Sequence, residues 1–472
     1  MLSKTDFTTL FRKLIPFQPT SGQAEAIEKL ADFILQKSND QLFILKGYAG
    51  TGKTTLISGL VNTLSECGLR TVLMAPTGRA AKVFSVYSGR KAFTIHKHIY
   101  RVKFKDGILQ FARKDNKLRD TLFIVDEVSM ISDQSSGFSN SKSLLDDLIG
   151  FVYEGDNCKM LFIGDDAQLP PVHSDESPAL NEEYLNRNFN INTITFQLTE
   201  VVRQALDSGI LFNANILRQK IEQQSYYPPC FGKLGFHDFQ QVNGIDLEEL
   251  LNTLYGNADI DDIVMITRSN KRAYVFNQEI RNRILGRENM IAVGDYLMAV
   301  KNNYYWIDEG SEVDFIANGD MMELLSVNKY KDLYGFHFAD VTVRLCDYPN
   351  HPHIDIKIIL DSLDCEAASL TSEQNNTLYQ QIAIDYAGIL NAKTRYLKIK
   401  NDPYLNAVQV KFGYSLTCHK TQGGQWEIVL VDQLYLKGGQ IDKETLRWLY
   451  TAITRSTKQL YLINFKPEMF EG

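Results

Sequence analysis

The stretch Gly47-Tyr48-Ala49-Gly50-Thr51-Gly52-Lys53-Thr54, followed by Thr55, fits the pattern G-x-x-x-x-G-K-[ST]. Few short motifs restrict a fold so strongly, because this one works only between a strand end and a helix start. Both flanks agree. Gln41 to Leu45 is a short apolar run, readable as a buried parallel strand, and Leu56, Ile57, Leu60, Val61 and Leu64 recur at helical spacing. Gly47, Gly50 and Gly52 let the loop's backbone N–H groups, those of Ala49 and Thr51 among them, turn toward one anion. The helix N-terminus adds positive potential. Lys53 is placed to reach the β- and γ-phosphates of a nucleotide, and the Thr54 hydroxyl, beside Thr55, to ligate Mg²⁺.

A chain of 472 residues suggests about two to four domains. No apolar run approaches the ~18 residues of a membrane span, and the first residues lack a basic start followed by an apolar core. The six cysteines are scattered without C-x-x-C spacing, which points to a reducing, cytoplasmic setting and away from disulfides and zinc. Net charge is −7, yet residues 70–119 hold thirteen Lys/Arg against two Asp/Glu. A basic stripe on an otherwise acidic body is an electrostatic footprint for a polyanion, or a solvated cationic hairpin with no partner.

Along the chain, Ser21 is a candidate cap for a helix running through Gln36, with Gln23 on its first turn; a Gln amide can pair with the N6/N7 edge of adenine. Arg70 to Ala75 reads as a strand entering Pro76-Thr77-Gly78-Arg79, a junction suited to a backbone phosphate. Two β-rich runs, Ile99–Lys105 and Ile108–Lys114, flank Asp106-Gly107, a hairpin signal that puts Phe104 near the tip, where it could press on a base. Thr121 to Val125 ends in Asp126-Glu127 at the strand's C-terminal edge, where open α/β sheets bind ligands. Asp126 can hold Mg²⁺, and Glu127 can orient or deprotonate a water. Lys159 to Ile163 leads to Gly164-Asp165-Asp166-Ala167-Gln168-Leu169-Pro170-Pro171, which fixes Gln168 at the same edge. Arg203 closes the first α/β half. The pattern then restarts at Ile260–Thr267. A β-rich stretch over about 290–365 reads as a small inserted barrel. Residues 366–400 are mixed and polar, with no clear period.

Taken together, and in this order, the loop, Ala75–Ala81, Thr94-Ile95-His96, Val125–Met130, Gly164–Val172, Leu198–Arg203, Leu416–Gly423 and Tyr450–Arg455 resemble the motifs of superfamily-1 helicases. The resemblance is strongest to the 5′-to-3′, RecD- and Dda-like branch, over roughly residues 15–205 and 260–465. It implies an α/β protein of two RecA-like lobes with parallel sheets. Lobe 1 spans 1–98 and 119–204, with a hairpin pin at 99–118. Lobe 2 spans 205–315 and 405–472, with a β-rich, SH3-like insertion at 316–404. The implied cofactors are ATP and Mg²⁺. By position, Gln23 resembles the adenine reader, Gln168 the γ-phosphate sensor, and Arg203 and Arg455 the two arginines that reach the γ-phosphate. Pro76, Thr77, Arg79, Thr94, His96, Thr417, His419 and Lys420 fall on motifs that touch single-stranded DNA in relatives, and Phe104 lies on the pin. The implied partners are single-stranded DNA and duplex junctions, with no membrane and a monomeric state. An ATPase acting on RNA or displacing proteins, and a DNA-binding subunit of a repair complex, stand as alternatives.

Overall fold

The computed structural model describes residues 3–36, 38, 40–105, 108–134, 142–202, 207–232, 235–307, 313, 315–348, 351–433 and 441–471; over 102–105 and 108–111 it describes the backbone alone. In chain order, the first lobe carries β1 (Gln41–Gly47), β2 (Arg70–Ala75) and β3 (Ala92–Thr94). A two-stranded hairpin of β4 (Tyr100–Lys105) and β5 (Ile108–Arg113) follows, then β6 (Thr121–Val125), β7 (Lys159–Gly164) and β8 (Asn192–Leu198). Six of these form one sheet in the order β3-β2-β6-β7-β1-β8, every pair parallel. β6 and β7 are buried along their whole length, which is why they read as unbroken apolar runs rather than alternating ones. In the hairpin, Lys105 pairs with Ile108; the Asp106-Gly107 turn lies outside the described residues.

The second lobe is built on β9 (Phe239–Val242) and β10 (Ile263–Thr267), and later on three more strands. Between them stand the strands of a closed barrel: β11 (Tyr296–Ala299), β12 (Met321–Leu333), β13 (Phe336–Leu345), β14 (Ile354–Ile359) and β15 (Val408–Phe412). The chain then returns through β16 (Ser415–Thr417), β17 (Trp426–Val431) and β18 (Ser456–Ile463). This second sheet is also parallel, in the order β16-β10-β17-β18-β9.

The barrel does not respect the borders 316–404. It takes β11 and β15 from stretches assigned above to the second lobe, and these two strands pair antiparallel. The reason is closure: a sheet leaves no open edge only if its first and last strands meet. The unplaced 366–400 region holds two helices, Ser372–Asp385 and Ala392–Lys400. Only Leu378, Ile382 and Ile399 of these are buried, packed with Phe336, Phe338 and Ile359 of the barrel. Three apolar contacts in two helices leave too sparse a stripe to show a period.

Two polar contacts fix the barrel. On the side of lobe 2, fully buried Asp295 accepts from Arg281 Nε (3.1 Å), Arg287 Nη1 (2.6 Å), Tyr414 Oη (2.9 Å) and the Ala292 amide (2.7 Å). On the side of lobe 1, the barrel meets the helix Gly78–Ser88. Lys82 Nζ donates to Cys346 O (2.8 Å) and lies 3.8 Å from Asp347 Oδ1. A Cβ on Gly78 would sit 3.0 Å from both Asp320 Oδ1 and Tyr348 Oη, so a larger residue there would require those side chains to shift.

Asp320 is 4% exposed. Burial, with Asp347 adding to it, raises its carboxyl to about 7 against the pull of the Ala317 amide. The folded value lies above the unfolded one, so the fold favours the protonated form, and this group's contribution to stability is lost as pH rises from about 4 through about 7. Asp320→Asn removes that loss. It should therefore melt higher than the parent at pH 8, by on the order of 2–4 kcal/mol in stability, with the difference vanishing toward pH 4. Thermal melts across that range check it.

Candidate nucleotide site and nucleic-acid edge

The phosphate loop leaves the end of β1, in the interior of its sheet between β7 and β8, and enters the helix Lys53–Glu66. Gly50 and Gly52 take left-handed φ values of 77° and 78°, which glycine adopts without the Cβ penalty. A Cβ on Gly47 would come within 2.8 Å of Thr51 Oγ1 and 2.9 Å of Lys53 Cγ. Ala49, Gly50, Gly52, Lys53 and Thr54 line a cleft of about 850 Å³. Gly47, Thr51 and Thr55 do not; Thr51 is fully buried and its hydroxyl donates to Tyr48 O (2.8 Å). The Lys53 amine folds back on Gly47 O and Tyr48 O.

Two acids that follow β6, two strands along from β1, share the cleft. Asp126 accepts from Tyr87 Oη (2.5 Å) and from the Glu127 amide (2.8 Å). Burial and the charge of Glu127 raise its pKa. Glu127 itself sits at φ 53°, a left-handed conformation uncommon outside glycine and of the kind that collects at functional sites. Glu127 Oε2 and Gln168 Oε1 are buried and have no hydrogen-bond partner among the described residues. Each is an acceptor, or an amide end, that a bound group or its water would satisfy. With the glycine cradle, the orphaned atoms fit a nucleoside triphosphate. Among the described residues no group of three or more His, Cys, Asp or Glu could hold a metal ion alone. A divalent cation beside Thr54 and Asp126 would therefore need phosphate oxygens and water to complete its shell.

The second lobe supplies the other wall. The helix Lys443–Ile453 packs so closely that Tyr48, Ala167 and Leu169 of lobe 1 join the same apolar cluster as Leu446, Leu449, Tyr450 and Ile453. Arg455, just past its end, is 4% exposed, lines the cleft, and places Nη1 3.9 Å from Glu127 Oε1. Its Nε donates to Thr451 O (3.0 Å) and Nη1 to Gly424 O (3.3 Å). Lys53 and Arg455 thus face one cavity from opposite lobes. Arg203 lies outside the described residues; the amide just before it, on Val202, donates to Gly50 O (3.0 Å).

Other assignments come out differently. Thr20, not Ser21, caps the helix Ser21–Leu35, and Gln23 closes a capping box with it: Oε1 accepts from the Thr20 amide (3.1 Å). Gln23 Nε2 donates to Thr51 O (3.0 Å), so both amide ends are engaged and the side chain buttresses the loop from behind. Arg79 turns from the nucleic-acid edge into the cleft. Its guanidinium lies 3.8 Å over the Trp426 ring and donates to Gln425 O (3.4 Å), joining the lobes. A cation with an aromatic face within reach satisfies itself there, and the sequence separation of 79 and 426 hides that pairing.

The remaining residues divide between two strand edges. Ala75 pairs with Thr94, so Pro76, Thr77, Thr94 and His96 emerge side by side from lobe 1. Thr77 and Thr94 are helix caps, accepting from the Ala80 and Lys97 amides (3.2 Å each). Burial holds His96 down to about 4, neutral at physiological pH, with its ring 6.4 Å from that of Phe315. Thr417 and Lys420 line a small cavity of about 110 Å³ between lobe 2 and the barrel. Lys420 donates to Asn318 of the barrel, and burial lowers it to about 8; burial likewise lowers His419. Phe104 is on β4, where only backbone is described. No role was read from the sequence for Tyr450 or Tyr87. The signal for Tyr450 was its place on a buried aliphatic stripe, where a phenol needs a partner.

Comparison with known proteins follows the same division. The AAA domain matches residues 18–223, and the UvrD-like helicase C-terminal domain matches residues 412–463. The RecBCD enzyme subunit RecD of Buchnera aphidicola subsp. Acyrthosiphon pisum is 30% identical over 466 residues, covering 91% of this chain and 70% of that protein. The ATP-dependent DNA helicase dda of Enterobacteria phage T4 is 25% identical over 477 residues, 94% of this chain and 99% of that protein. The ATP-dependent RecD2 DNA helicase of Deinococcus radiodurans is 32% identical over 195 residues, 41% of this chain but 24% of its own length. With most of RecD and nearly all of dda spanned end to end, and its own motifs meeting across a single cleft, the chain belongs to the RecD- and Dda-like branch of the superfamily-1 helicases.

Proposed function

We propose that this ATP-dependent DNA helicase moves 5′ to 3′ along single-stranded DNA and parts duplex ahead of it, by opening and closing the cleft between its two lobes. One observation carries the reading: Arg455 of lobe 2 stands 3.9 Å from Glu127 of lobe 1, at a cleft that Lys53 also lines. A cation delivered from the opposite lobe stabilises charge on a transferring phosphoryl group only while the cleft is shut. Hydrolysis therefore reports closure.

Mg-ATP, when bound, supplies the phosphoanhydride whose cleavage drives the cycle. Lys53 leaves Gly47 O and Tyr48 O for the phosphates, and the loop amides hold them, except those of Ala49 and Thr51, which donate to Tyr450 Oη (2.8 Å) and Tyr48 O (3.3 Å). Thr54 and Asp126 would hold Mg²⁺, which would offset charge on the phosphates. Glu127 orients the attacking water and accepts its proton, with Gln168 beside it. Arg455 would reach the γ-phosphate from the second lobe, and the family resemblance gives Arg203 the same role. The moving surfaces are Pro76, Thr77, Thr94 and His96 on one lobe and Thr417, His419 and Lys420 on the other. A neutral His96 serves there by stacking or hydrogen bonding rather than as a cation. The β4–β5 hairpin, carrying Phe104, is the wedge. The 5′-to-3′ direction is that of the branch to which the chain belongs.

On a duplex with one single-stranded tail, strand displacement is expected from a 5′ tail and not from a 3′ tail; the reverse would overturn the polarity. ATP hydrolysis should rise with single-stranded DNA more than with RNA; greater stimulation by RNA would favour an RNA-remodelling ATPase. Lys53→Ala should abolish both activities, and activity that survives it would favour a non-catalytic DNA-binding role. Arg455→Ala should lower stimulated kcat by roughly 10³-fold or more while the protein still binds single-stranded DNA, measured by steady-state kinetics beside fluorescence anisotropy.

A further inference from the structure

Tyr450 is 1% exposed, on the lobe 2 helix that ends just before Arg455. Its ring packs among aliphatic residues, but its hydroxyl crosses the lobe boundary. The Ala49 amide of the phosphate loop donates to Tyr450 Oη (2.8 Å), and Oη in turn donates to Asp165 Oδ2 (2.6 Å). That same carboxylate oxygen lies 3.9 Å from Lys53 Nζ, and Asp165 Oδ1 accepts from the Ala167 amide (3.0 Å). One phenol of the second lobe therefore grips the rim of the loop and the acid beside the loop's lysine. Next to it, Thr451 Oγ1 accepts from the Leu169 amide (2.9 Å), and Thr451 O accepts from Arg455 Nε (3.0 Å). The turn that carries the arginine is thus the turn that holds the loop.

We propose that Tyr450 is a positioning residue for ATP hydrolysis, its hydroxyl setting the phosphate loop, Asp165 and through it Lys53 in register with Arg455 each time the lobes close. This rests on the roles given above to Lys53 and Arg455. The argument is one of connectivity and timing. A bond between lobes exists only in the closed state, so losing it weakens the transition state more than the first encounter with nucleotide, and kcat falls with little change in KM. Without the phenol, Asp165 keeps a buried oxygen whose nearest charge is Lys53, which draws the amine away from the phosphates. Ala49 loses its acceptor at the same moment.

The test uses the full chain, ATP, and a saturating single-stranded oligonucleotide. If the parent protein shows no stimulation by DNA, the functional reading itself fails. Given stimulation, Tyr450→Phe, which keeps the buried ring, should lower stimulated kcat about tenfold, with KM for ATP within about threefold of the parent. Its melting temperature should stay within about 2 °C. Because part of the Tyr450 effect runs through Asp165, the loss in the Tyr450→Phe/Asp165→Asn double variant should be smaller than the product of the two single losses. Retained kcat, a KM that rises in step with the loss, or losses that multiply in the double variant would each overturn the proposal. Should Tyr450→Phe fail to fold, Asp165→Asn carries the test alone: the same selective loss of kcat is expected, and a retained kcat overturns it.

Discussion

Everything in this molecule turns on a loop whose chemistry is unfinished by itself. The loop after β1 offers amides, a lysine and a threonine hydroxyl, but its lysine rests on its own carbonyls and its rim is held by a phenol from the other lobe. The acids that complete it, Asp126, Glu127 and Asp165, stand at the ends of neighbouring strands of the same sheet. The arginine arrives from the other sheet altogether. Parallel sheets make this possible: every strand delivers its C-terminal end to the same edge, so residues far apart in the chain converge there.

The barrel gives the second lobe a hold on the first. Buried Asp295 and its two arginines fix the barrel to lobe 2, while Asp320, Asp347 and Tyr348 reach the helix after Pro76. A buried carboxylate with two guanidinium partners and an amide is tolerable because each lone pair finds a donor; stripped of them it would be costly. Gly78 acquires its meaning here. It is the place where the barrel's carboxylate and phenol come so close that a Cβ would press on both. The barrel thus touches both lobes, the helix after Pro76 on one side and Lys420, bonded to barrel residue Asn318, on the other.

Charge follows the same plan. The concentration of Lys and Arg in residues 70–119 covers β2 to the hairpin, on the lobe 1 strands whose ends carry Pro76, Thr77, Thr94 and His96 side by side. Not all of it faces outward. Arg79 and Lys82 are drawn into the contacts between lobes and with the barrel. A count of basic residues therefore overstates the charge left for a polyanion, since part of it is already neutralised by carbonyls, carboxylates and an aromatic face.

The sequence by itself determined the two parallel α/β lobes, the loop and its flanking strand and helix, the hairpin and the presence of a β-rich module. These depend on local period and on glycine and turn chemistry, which neighbours in the chain supply. It also marked Asp126, Glu127 and Gln168 as candidates, since strand ends can be read from the end of an apolar run, while Arg455, just past a helix, was marked only by the family resemblance. Only tertiary structure decided where the barrel closes, because strand partners as far apart in the chain as Leu297 and Phe412 leave no mark on either segment. It alone turned Gln23 toward Thr51, stacked Arg79 on Trp426 and gave Tyr450 its two partners. Those are contacts between groups with several possible mates, and which mate is taken depends on how two lobes meet, a quantity no local pattern encodes.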